Sequence, residues 1–321
     1  MLRTQILQIV MEMRNLTGKK TLLLVVLLYV TLLTAGCSKS LGDALAYEQE
    51  TGNDGIAYDL DGNRYFDSKL KGCGYGTVES ITYHSDVTGS DRHARIWLPE
   101  GYDGNECFPV LYLLHGMDGD ENSWLRKDAD IILENLHYLN GAPEMVVVFP
   151  NCNVNAGEDI AKCSWPEIVD TFDLVGQDIT DNLMPYVNEH YKVLTDKNNT
   201  AIAGNSLGGR EALMTAFTYQ DIFGYIGAFS TITPLADASS EYPEAKLAMK
   251  EFRIDENSDG FRLIMMNVGN KDPYIENSHN VDRSLSDAGI EHIFYVMDGR
   301  HNDRVWQNSI YNFGRLIFND K

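Results

Sequence analysis

Short, unbroken apolar runs recur along this chain, and they constrain its fold more than any other feature. Four of them are Val110–Leu114, Met145–Phe149, Thr200–Ala203 and Tyr225–Phe229; two more follow at Leu263–Val268 and His292–Met297. Gly, Pro or Asn border them. A half-exposed strand would alternate apolar and polar residues, so runs this short and this uniform suit strands covered on both faces. Two earlier segments, Val78–Tyr83 and Ala94–Leu98, also read as strands. Between the runs lie helical patterns at Ala129–Leu139, Phe172–His190, Leu207–Tyr219 and Asn277–Ala288, with a last one over Asp303–Phe318. Strand–helix alternation predicts an α/β fold: a mainly parallel eight-stranded sheet with helices on both faces and an early antiparallel pair.

Composition narrows the partners. The 321 residues are 44% hydrophobic and 23% charged, ordinary for a globular protein, with no internal repeat or low-complexity tract. Lys and Arg number 26 against 47 Asp and Glu, a formal charge of −21. Such a surface repels nucleic acid and other polyanions. Two Asp-rich segments look like half of a calcium loop, DLDGN from Asp59 and DENSDG from Asp255. The twelfth positions hold Leu70 and Met266 instead of the bidentate Glu, so both are expected to be turns. No metal or organic cofactor is expected.

The N-terminus reads as an export signal. Lys19-Lys20 precedes an apolar run from Thr21 to Thr34, then Ala35-Gly36-Cys37. The run is short for a membrane span, which needs about 20 apolar residues. Thr34-Ala35-Gly36-Cys37 resembles a bacterial lipoprotein signal, with Thr where Leu is usual. That resemblance implies a lipid on Cys37 and membrane attachment through it alone. Export permits disulfides among Cys73, Cys107, Cys152 and Cys163. Cys152 with Cys163 would close a short loop, and buried free thiols are the alternative. None of the four has a CxxC spacing.

Gly204-Asn205-Ser206-Leu207-Gly208 is a G-x-S-x-G. Its setting gives it meaning: an apolar run precedes it and a helical pattern follows, the strand–turn–helix of a nucleophile elbow. Such a turn is sharp, and Gly204, Gly208 and Gly209 supply the small residues it needs. A serine hydroxyl requires a base. Three histidines follow Ser206: His279 in a helical pattern, His292 at the start of a strand, and His301 in a polar loop just after the last strand. His301 is the expected base. The acid should follow the preceding strand, and Asp272 does; Asp298 is the competitor. The oxyanion donors are expected to be the backbone N–H groups of Leu207 and of Met117, in the loop beginning His115-Gly116. His115 itself is read as an organiser of that loop.

Together the segments LYLLHGMDGDENSW (Leu111–Trp124), LMPYVNEHY (Leu183–Tyr191), AGNSLGGREAL (Ala203–Leu213), VGNKD (Val268–Asp272) and GRH (Gly299–His301) resemble the putative-esterase family of α/β-hydrolases. That family includes feruloyl and acetylxylan esterases, S-formylglutathione hydrolases and mycolyltransferases. The resemblance covers about Gly74 to Phe318 and implies the same triad, Ser206, Asp272 and His301. It divides the chain into a lipoprotein-type signal peptide (1–36), a tether and N-terminal extension (37–73) and an α/β-hydrolase domain (74–321). Export combined with this resemblance points to a serine esterase acting on ester-bearing plant polysaccharide. Trp124, Trp165, Tyr274 and Trp306 are candidate substrate-binding aromatics. Acyl transfer, a general small-ester hydrolase and a non-catalytic binding lipoprotein are the alternatives.

Overall fold

A computed structural model describes residues 51–52, 55–60, 63, 65–155, 162–232 and 252–319. The signal segment and Cys37 lie outside them. No helix among the described residues is long and apolar enough to cross a membrane. The chain falls into two units by its contacts, residues 49–68 with 74–321, and residues 1–48 with 69–73. Of the second only 69–73 is described, a turn in which the Cys73 N–H donates to the Leu70 carbonyl.

The larger unit is built on one sheet, with eight strands among the described residues in the order β1-β2-β4-β3-β5-β6-β7-β8. They are β1 Thr77–Ser85, β2 Ser90–Leu98, β3 Val110–Leu114, β4 Val146–Pro150, β5 Thr200–Asn205, β6 Tyr225–Phe229, β7 Leu263–Gly269 and β8 Ile293–Met297. β2 runs antiparallel to both β1 and β4, and all other pairs are parallel. The helices are α1 Ala129–Asn140, α2 Trp165–Asp173, α3 Val175–Asp178, α4 Met184–His190, α5 Leu207–Thr218, α6 Ile275–Asp287 and α7 Asp303–Leu316. This is the α/β-hydrolase arrangement.

The uniform apolar runs have the expected cause. In β3, Val110, Tyr112 and Leu114 face one core while Leu111 and Leu113 face the other. β4 divides its residues in the same way, with Val146 and Val148 opposite Val147 and Phe149. Helices α2 to α6 cover the first face, and α1 and α7 the second. Each fully buried aliphatic side chain contributes about 1.5–3 kcal/mol, so a polar pattern on either face could not hold this sheet.

One expectation needs correction. The Phe172–His190 pattern is not one helix. A capping box of Ser164 and Glu167 starts α2 earlier, the α2–α3 junction falls at Leu174, and a π turn occupies Ile179–Leu183 before α4. Pro185 in the first turn of α4 has no N–H to give the carbonyl four residues back, which accounts for the widened turn. The S-x-x-E capping signal was present in the sequence.

By their contacts, residues 49–68 group with 74–321. Ile56, Ala57 and Leu60 are buried in the α1/α7 core. Asn312 and Asn308 of α7 hydrogen-bond the Ala57 backbone, and Asn135 of α1 donates to the carbonyls of Tyr65, Phe66 and Ser68. These described residues pack against α1 and α7.

The sequence left the cysteines open between pairing and free thiols; Cys107 and Cys152 are free thiols, and burial of Cys152 pushes its thiol pKa well up. The DENSDG segment is a turn, as expected, closed by Ser258 N–H to the Asp255 carbonyl at 2.9 Å. DLDGN lies partly outside the described residues.

Candidate active site

β5 ends in a turn whose geometry only small neighbours permit. A Cβ on Gly204 would sit 2.5 Å from the Gly208 carbonyl, and one on Gly208 would sit 2.5 Å from the His115 carbonyl. Strand, helix and loop backbones therefore touch directly. Ser206 at the apex has φ 58° and ψ −123°. Such a conformation costs a non-glycine residue about 1–3 kcal/mol and persists only where its surroundings determine it. Here the Ser206 N–H donates to the Phe229 carbonyl of β6 at 2.8 Å, and α5 behind it is almost wholly buried.

The structure brings three of the expected residues into one hydrogen-bonded line. His301 Nε2 lies 3.0 Å from Ser206 Oγ, and His301 Nδ1 lies 2.8 Å from Asp272 Oδ2. Asp272 is buried, and its other oxygen accepts from the Tyr274 N–H at 2.8 Å. The loops that carry acid and base are joined: Lys271 N–H donates to the Gly299 carbonyl and Asn270 N–H to the Met297 carbonyl, both at 2.8 Å. A Cβ on Gly269 would meet the Gly299 carbonyl at 2.5 Å, so these loops pass at backbone contact. The competing groups lie elsewhere. Asp298 is paired with Lys271 at 2.7 Å, which holds its carboxyl below the usual range. His292 binds Asp282, and His279 packs on Phe294. A serine hydroxyl facing an imidazole that a buried carboxylate orients can give up its proton as it attacks a carbonyl.

Met117 N–H and Leu207 N–H, the expected oxyanion donors, have no hydrogen-bond partner among the described residues. Leu207 begins α5, where the free N–H groups of a helix start favour negative charge. Ser206 opens into a cleft of about 320 Å³ that Met117, Trp165, Tyr274, His301 and Trp306 help line. The His301 ring lies between two aromatics in edge-on contact, Tyr274 at 5.2 Å and Trp306 at 5.1 Å. Trp124, expected among the substrate-binding aromatics, does not line the cleft. It is 1% exposed, its Nε1–H donates to the Leu114 carbonyl at 2.8 Å and its ring packs on Phe229, so it belongs to the core.

Sequence reasoning missed Arg126, Lys127 and Asn205 as cleft residues. It also missed two buried ionic groups behind the site. Arg210 lies between Asp173 and Glu211, and Arg92 pairs with Asp178 at 3.0 Å while Tyr83 donates to the same carboxylate at 2.6 Å. Isolated charges in mixed sequence carry no signal that they will meet in the interior.

His115 organises its loop as expected. Its Nε2 accepts from the Cys152 N–H at 2.8 Å, so the proton sits on Nδ1, which donates to the Gly116 carbonyl at 2.6 Å. Burial lowers its pKa from 6.5 to about 4. Between those values the unfolded chain binds the proton and the native one does not. Stability therefore falls as pH drops from about 6.5 to about 4, by roughly 3 kcal/mol from this group. Urea unfolding at pH 7 and pH 4.5 should show His115→Gln losing less stability over that interval than the unmodified chain. Equal losses would contradict this.

Fold and site together are those of the α/β-hydrolase class. The chain belongs to the putative-esterase family, whose model matches residues 85–313. It is 29% identical over 260 residues to an endo-1,4-beta-xylanase/feruloyl esterase of Xylanibacter ruminicola, spanning 77% of this chain and 32% of that one. It is 25% identical over 181 residues to endo-1,4-beta-xylanase Y of Acetivibrio thermocellus, 52% of this chain and 15% of that one. The chain thus spans a third or less of the length of these curated relatives. A CE1 ferulic acid esterase of Anaeromyces mucronatus, solved in complex with ferulic acid, superposes with a TM-score of 0.72 at 29% identity, covering 79% of this chain and 95% of that one.

Proposed function

We propose that this protein removes feruloyl or acetyl groups from plant cell-wall polysaccharide through an acyl-enzyme on Ser206, as an exported protein anchored by lipid on Cys37. The observation that carries the chemistry is the hydrogen-bonded line Ser206–His301–Asp272 at the mouth of the cleft. His301 takes the Ser206 proton as Oγ attacks the ester carbonyl. The oxyanion that forms accepts from the Met117 and Leu207 N–H groups. Collapse of this intermediate breaks the bond to the sugar oxygen, which leaves with the proton from His301. Water, deprotonated in turn by His301, attacks the acyl-enzyme and releases the acid. Asp272 holds the imidazole tautomer throughout.

The substrate class rests on the relatives named for feruloyl esterase and xylanase activity and on the aromatic wall of Trp165, Tyr274 and Trp306. Such rings suit a phenolic acyl group or a sugar face. Purified enzyme should hydrolyse methyl ferulate, with acetylated xylan as the comparison substrate. Trp306→Ala should raise KM for methyl ferulate about 10-fold while changing KM for p-nitrophenyl acetate less. Inactivity on both methyl ferulate and acetylated xylan, alongside good activity on another ester, would overturn the polysaccharide assignment.

A further inference from the structure

We propose that His115 aims one of the two oxyanion donors. It is a positioning residue that acts through the Gly116–Met117 peptide without touching the substrate, and the inference rests on the serine-ester reading above. A trans peptide is planar, so its C=O and N–H point in opposite directions. Whatever fixes the Gly116 carbonyl therefore sets the direction of the Met117 N–H. Two donors fix it: the Gly119 N–H at 3.0 Å, which closes a turn, and His115 Nδ1–H at 2.6 Å. At the far end of the same peptide the Met117 N–H has no partner among the described residues, and Met117 shares the cleft with Ser206. The peptide also passes close to the nucleophile, since a Cβ on Gly116 would lie 3.0 Å from Ser206 Cβ.

The imidazole is itself held rigidly. It is 1% exposed, and Phe172 packs edge-on against it at 5.7 Å. A Cβ on Gly119 would lie 2.6 Å from Nδ1, so glycine there lets the ring come close to the turn it supports. The Cys152 N–H occupies Nε2 and leaves Nδ1 as the donor. Arg92 pins that segment from behind, donating to the carbonyls of Asn151 and Asn153 on either side of Cys152. A hydrogen bond to a peptide carbonyl also polarises the group, which strengthens its N–H as a donor. His115 therefore both aims and strengthens the Met117 donor.

Two substitutions separate this role from simple filling of space. In His115→Asn the amide nitrogen stands where Nδ1 stood and still donates to Gly116. In His115→Gln the side-chain end stands where Nε2 stood, which keeps the Cys152 bond and loses the Gly116 bond. With p-nitrophenyl acetate, kcat should fall about 10- to 100-fold in His115→Gln and less than about 5-fold in His115→Asn, with KM within about 2-fold in both. Equal kcat in the two variants overturns the proposal. Should neither variant fold, imidazole nitrogen shifts of the unmodified protein decide: a protonated Nδ1 and bare Nε2 at pH 7 support it, and the opposite tautomer overturns it. Full activity in Ser206→Ala would instead remove the serine-ester reading itself, an outcome distinct from failure of the His115 arms.

Discussion

Ser206→Ala should lower kcat on p-nitrophenyl acetate by about 10⁴- to 10⁶-fold, the range seen when an acyl-enzyme nucleophile is removed. The size of the effect comes from the chemistry and not from the fold. The Ser206 side chain's one hydrogen bond among the described residues is with His301, so alanine leaves no buried donor or acceptor stranded in the core. The strained φ of 58° is equally unfavourable for serine and alanine. Stability should therefore change by less than about 1 kcal/mol, and a urea melt of the variant checks this. Retained activity in a normally folded variant would remove the nucleophile assignment.

Gly208→Ala should be strongly damaging. Its Cβ would lie 2.5 Å from the His115 carbonyl oxygen and 2.6 Å from the Leu114 carbonyl oxygen, both fixed backbone atoms at the end of β3. Nothing flexible can give way, so the first turn of α5 and the His115–Gly119 loop must separate. Overpacking of a rigid interior costs about 3 kcal/mol or more, lowering the urea midpoint. The same separation moves the Leu207 and Met117 N–H groups apart. Any folded fraction should thus show kcat reduced by about 10²- to 10³-fold, as expected when an oxyanion donor is lost. Wild-type stability together with wild-type kcat would show that the elbow does not depend on this backbone contact.

Most of this fold was legible in the sequence because a doubly covered strand must be apolar at every position. Val110–Leu114 and Tyr225–Phe229 begin and end where the apolar runs do. Ser206, Asp272 and His301 were readable because the fold orders them along the chain and each sits just past a strand. What stayed hidden depended on tertiary contact. Trp124 sits in a polar loop and could as well have faced solvent as the core; the Leu114 carbonyl that its indole N–H meets is invisible in one dimension. The Arg92–Asp178 pair joins residues 86 positions apart. Ala57 and Tyr65 are held by asparagine side chains of α1 and α7, which carry no apolar period to read.

The central claim is that the acyl group passes through Ser206. Rapid mixing of the enzyme with p-nitrophenyl acetate, followed by acid quenching, intact-mass measurement and peptide mapping, tests it most directly. The account predicts one acetyl adduct per chain on the peptide that contains Ser206, and none in Ser206→Ala. An adduct on any other residue, or full turnover with no adduct on an intact Ser206, would contradict it.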